Sequence, residues 1–131
     1  MIRYSKVYRN QATVIPKEIE KQKEFKTNDI IKWIINRSNK QVNIEIIPQN
    51  DIDEELIDEI IKTDDYVHIY RNISQRRHVV LPVEIERILD YNFKKDLLKW
   101  TISDDEILVE KIVKVSLLNI SGILNKNREI R

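Results

Sequence analysis

Cysteine is absent from this sequence, and glycine occurs once, at Gly122. The first absence excludes disulfides, thiolate catalysis, iron–sulfur ligation and the common structural zinc sites. The second excludes the glycine-rich loops that cradle phosphates, which need several backbone positions free of a Cβ. Long apolar runs are lacking too, and none approaches the roughly 20 residues of a membrane-crossing helix. Met1 to Lys6 has neither an apolar signal core nor transit-peptide character, so a cytoplasmic protein is expected. Charge of one sign is not in excess, because 23 Lys and Arg stand against 22 Asp and Glu. That excludes a histone-like polycation but not a local basic face. Isoleucine, by contrast, is abundant, with 24 residues against one alanine. β-Branched side chains fit a pleated surface better than a helix, so strands are expected.

The chain repeats itself. Val14-Ile-Pro-Lys-Glu-Ile-Glu20 returns as Val80-Leu-Pro-Val-Glu-Ile-Glu86, and Asp29-Ile-Ile-Lys-Trp-Ile-Ile35 as Asp96-Leu-Leu-Lys-Trp-Thr-Ile102. Tyr8-Arg9-Asn10 matches Tyr70-Arg71-Asn72 upstream. On that match the second copy carries about four extra residues near Ile73 to Arg76. Three matches in order indicate a duplication. Each copy reads as strand, strand, short helix, strand, strand. In the first copy the strands are expected at 6–9, 12–15, 29–36 and 42–47, with Pro16 opening the helix. In the second they are expected near 66–72, 78–81, 97–102 and 107–115, with a helix near 83–90.

Residues 51–65 differ in kind. They hold eight acids and one base, Lys62, while Ile52, Leu56, Ile57, Ile60 and Ile61 recur at helical spacing. An acidic amphipathic connector helix is expected. Its −7 hides a charge of +5 in residues 1–50 and +3 in residues 66–131. The organisation expected is therefore repeat 1 (1–50), connector (51–65), repeat 2 (66–115) and a C-terminal tail (116–131).

The run Tyr70-Arg-Asn-Ile-Ser-Gln-Arg-Arg-His-Val-Val-Leu-Pro-Val-Glu-Ile-Glu-Arg87, continuing through Lys95-Asp-Leu-Leu-Lys-Trp100 and Glu106-Ile-Leu-Val-Glu110, resembles the DNA-binding domain of the AbrB/SpoVT family. The first copy, with its shorter turn at Asn10-Gln11, looks more like the addiction-antitoxin (MazE-like) branch of that superfamily. The resemblance covers about residues 6–47 and 68–112. It implies a mainly β fold with short helices, a swapped-hairpin β-barrel whose two units interlace. Here one chain holds both units, so an intramolecular pseudo-dimer is expected. A unit of about 45 residues can hardly bury enough surface to stand alone.

Family members bind double-stranded DNA through basic side chains on the first hairpin and at the start of the helix. Carried over by position, these are Arg71 and Arg87 in repeat 2 and Arg9 and Lys21 in repeat 1. His78 stands where the family often has Arg, and Ala12 is its counterpart. Arg76 and Arg77 lie at the second hairpin tip, where the family often has glycine. Glu20 and Glu86 replace residues that tend to be basic in DNA-binding members. Four arginines in repeat 2 suit phosphates and guanine edges, so repeat 2 is expected to dominate, with Arg37 away from the face.

Other residues suggest less. His68 and His78 would need further ligands to hold a metal, so no cofactor is expected. Trp33 and Trp100 read as paired core residues. Tyr8 and Tyr70 fit stacking on a base or packing across the hairpin. Acids in turns without a nucleophile do not make a catalytic site. The function expected is a DNA-binding transcription regulator. The alternatives are the antitoxin half of a toxin–antitoxin pair, with 116–131 engaging the partner protein, or a structural adaptor that has lost DNA binding. A further homodimer could form through Leu117, Leu118, Ile123 and Leu124.

Overall fold

In the computed structural model, which describes residues 1–113, the chain is mainly β. The tail expected to bind a partner or a second copy lies outside the described residues. Repeat 1 supplies β1 (Ile2–Ser5), β2 (Ala12–Val14), α1 (Lys17–Lys23), β3 (Ile30–Asn36) and β4 (Val42–Ile47). After β5 (Ile60–Lys62), repeat 2 supplies β6 (Tyr66–Asn72), β7 (His78–Val80), α2 (Val83–Leu89), β8 (Asp96–Ile102) and β9 (Ile107–Val113). Pro16 and Pro82 cap the two helices in extended backbone conformation. Both helices are closed after seven residues by a left-handed acid, Glu24 (φ 52°) and Asp90 (φ 51°).

The strands of the two repeats pair with each other. β1 runs antiparallel to β8 and β6 to β3, so the first strand of each copy lies on the third strand of the other. β2 pairs with β7, and β4 with β9. The result is a seven-stranded sheet, in the order β1-β8-β9-β4-β3-β6-β5, and a separate β2–β7 ribbon. One core joins them: Ile15, Ile19 and Trp33 of repeat 1 and Ile69, Ile73, Leu81, Ile85 and Trp100 of repeat 2 are all fully buried. The tryptophan rings, expected to pair, lie 6.1 Å apart between centroids.

The register corrects the expected alignment of the copies. Tyr4 lies opposite Lys99 and Tyr70 opposite Lys32, so Tyr70 corresponds to Tyr4, not to Tyr8. The offset is then a constant 66 from Ile2 to Phe25. Gln11 and Arg77 share a left-handed backbone (φ 65° and 63°), as do Glu24 and Asp90. Ile15 N–H donates to Arg77 O while Leu81 N–H donates to Gln11 O, a reciprocal pair. The strand expected at 6–9 is displaced to Ile2–Ser5 because Tyr8 and Gln11 close a tight turn, Gln11 N–H donating to Tyr8 O. No four-residue extension precedes Pro82. The one added residue lies after Tyr91, where Asp96 accepts from Asn92 N–H four residues back while Asp29 accepts from Lys26 N–H three back.

The connector is not a helix. It forms two short 3-10 turns, Gln49–Asp51 and Glu54–Leu56, and then β5 on the edge of β6. Asp58 takes φ 66° and its N–H donates to Tyr70 O, which breaks any continuous helix. Four of the five apolar connector residues are isoleucine, and the open edge of β6 offers backbone groups that a strand satisfies. The helical spacing was outweighed by that edge.

Candidate nucleic-acid interface

The β2–β7 ribbon buries Thr13 and Val79 and leaves Val80 half exposed, with His78 exposed beside it. Each end of the ribbon is a hairpin tip resting on the helix start of the other copy. The tip of repeat 2 (75–77) meets Ile15 just before α1, and the tip of repeat 1 (8–11) meets Leu81 just before α2. Arg76 (φ 59°) and Arg77 both have left-handed backbone. A side chain there costs about 1–2 kcal/mol relative to glycine, so arginine in both places needs an external hold. Arg77 has one: its carbonyl accepts from Ile15 N–H at 2.9 Å and its Nε donates to Ile15 O at 3.0 Å. Its terminal guanidinium N–H groups remain available as donors.

Beside that tip, Arg3, Tyr4, Lys6, Tyr8, Lys17 and Arg77 line a groove of about 380 Å³. Four cations thus converge from a strand, a hairpin tip and a helix start. Tyr4 and Tyr8 are 54% and 55% exposed, so their rings are free to stack. Glu18 is the groove's acid; Arg3 Nε donates to it at 2.9 Å, and that bond holds its carboxyl below the usual range. Lys6 and Arg3 were not among the expected contacts. Counting back 66 residues from the second copy's strand, not 62, would have placed both on the first hairpin.

The expected contact residues do not assemble into one patch. Arg71 turns to the connector, its Nη1 3.6 Å from Asp58 Oδ1 and donating to Tyr70 O. Its positional counterpart is Ser5, not Arg9. Arg9 lies in the turn of repeat 1 with its guanidinium 5.8 Å from the Phe93 ring centre. Arg87 is exposed on α2, lining with Arg37, Lys40, Ile35, Val67 and Ile88 a separate groove of about 360 Å³. Arg37 is therefore a neighbour of Arg87, not remote from it, and its Nη1 donates to Thr63 O. Lys21, the counterpart of Arg87, is exposed on α1.

The remaining candidates resolve simply. Tyr70 is packed, with Lys32 Nζ 5.7 Å from its ring centre, while Tyr8 is open. His78 Nδ1 lies 3.1 Å from Gln75 O, steadying the second tip. His68 is half-buried beside Tyr66, and burial, with Lys32 nearby, lowers its pKa below the ordinary value. Among the described residues no cluster of three metal-ligating side chains occurs, and no helix is long and apolar enough to cross a membrane.

Comparison with family models, with curated proteins and with solved structures gives no match to this chain.

Proposed function

We propose that this chain is a DNA-binding transcription regulator, a single-chain pseudo-dimer of the AbrB/SpoVT swapped-hairpin kind that needs no cofactor. What supports the fold part of this reading is that the first strand of each repeat pairs with the third strand of the other. The observation that carries the functional reading is the groove in which Arg3, Lys6, Lys17 and Arg77 converge beside two exposed tyrosines. Cations that present donors to phosphate, interleaved with aromatic rings, are the ordinary composition of a nucleic-acid surface. The contact set differs from the family-based one: Arg76, Arg77, Lys6, Lys17 and Arg3 make it, while Arg71, held by Asp58, and Arg87, in a separate groove, lie outside it.

The test is binding of mixed-sequence duplex DNA at about 50 and about 200 mM salt, the range over which phosphate contacts are strongly screened. Affinity should fall steeply with salt. Arg76→Gly isolates the tip, because it relieves a left-handed side chain while removing an exposed cation. We expect its melting temperature to be unchanged or raised and its salt slope to drop by about one. A parent protein that binds no duplex at the lower salt would overturn the reading.

A further inference from the structure

The proposed interface is built on one half of a pseudo-two-fold molecule. We infer, on the strength of the DNA-binding reading, that the protein engages a single, non-palindromic DNA element through that half and leaves the related half unused. The pseudo-axis passes through the Thr13–Val79 pair, whose neighbours Ala12–Val80 and Val14–His78 exchange under it. A symmetric dimer would present the same cations twice and read an inverted repeat. This chain does not.

At the constant offset of 66, Arg3 becomes Ile69, Lys6 becomes Asn72, Lys17 becomes Val83, Arg76 becomes Asn10 and Arg77 becomes Gln11. Every cation of the groove is lost. The related half has Arg9 and Arg71 instead, and both are engaged, one over Phe93 and the other with Asp58. Gln11 is tied down too, its Nε2 donating to Glu86 at 3.1 Å. In the basic half Arg3 is paired with Glu18, but Lys6, Lys17 and Arg77 have no ion pair among the described residues. The acids are not lost in the same way, since Glu18 and Glu20 return as Glu84 and Glu86.

The connector deepens the asymmetry. Only the related half has a strand added beyond its first strand, because β5 covers the edge of β6 while β1 ends the sheet on the other side. That addition brings Asp58 onto Arg71 and Tyr70, with Asp53, Glu54, Glu55 and Glu59 exposed just before β5. Carboxylates close to phosphates repel them with little screening inside a Debye length of about 8–10 Å. The connector therefore acts as a fixed negative guard over one half.

The experiment is selection of bound duplexes from a random pool with the full chain, followed by salt titration of two paired variants. Lys6→Ala/Lys17→Ala alters the basic half, and Asn72→Ala/Val83→Ala alters the equivalent positions. All four side chains are at least partly exposed, so both variants should fold. We expect a consensus with no inverted repeat, a salt slope reduced by about two in the first variant, and an affinity within twofold of the parent in the second. If bound DNA has no consensus, the paired variants decide alone. An inverted repeat, or equal losses in the two variants, would overturn the one-sided reading and leave DNA binding standing. Retention of no DNA at low salt would overturn both.

Discussion

The two tryptophans occupy equivalent positions with unequal chemistry. Trp100 Nε1 donates to Ser5 Oγ at 2.9 Å, and Ser5 lies 2.9 Å from Thr13 Oγ1. Thr13 spends its own proton on Lys6 O at 2.7 Å, so Ser5 must be the donor to Thr13. The chain of bonds therefore runs from the core to the backbone of a groove lysine. In the related half Ser5 and Thr13 become Arg71 and Val79, and the buried Trp33 Nε1 has no hydrogen-bond partner among the described residues. A buried hydrogen bond contributes about 1 kcal/mol net, and a partner left unpaired costs more. Trp100→Phe should therefore destabilise the protein by about 1 kcal/mol more than Trp33→Phe, as measured by urea unfolding. Equal losses would mean that the Ser5–Thr13 chain has no energetic weight.

At the scale of elements, sequence periodicity located most strands and both helices, because alternation and the two Ile/Leu-Pro junctions are local signals. It failed where tertiary pairing decides. Ile52 to Ile61 carries a helical stripe, yet the open edge of β6 draws Ile60–Lys62 into a strand. The Tyr-Arg-Asn repeat was a coincidence that the constant spacing of Pro16 and Pro82 already contradicted. It moved the first hairpin by four residues and hid Arg3 and Lys6 from the expected interface. The partnership of Arg71 with Asp58 was not legible at all, because it depends on how the connector folds back. Hydrogen exchange tests that fold directly: slow amides are expected within 60–62 and fast ones at 53–56. Uniform protection from 52 to 62 would restore the helix.

For the whole molecule, interlacing means that neither repeat owns a core. Ile15, Ile19, Trp33 and Ile31 pack with Ile69, Ile73, Leu81, Ile85, Leu98 and Trp100 in one cluster. Residues 1–50 expressed alone should be unfolded or dimeric by analytical ultracentrifugation and circular dichroism, since about 50 residues with half a core fall short of independent stability. A folded monomer would contradict the exchange of strands. The acidic connector offsets the positive charge of the two repeats, which is how a near-neutral chain can hold a basic groove. The most direct test of that account is to follow backbone amide shifts of the full 15.8 kDa chain as duplex DNA is added at low salt. The account predicts changes concentrated at residues 3–8, 14–18 and 74–78, with 69–72 and 83–86 nearly still. Changes of equal size in both sets, or none in the first, would contradict it.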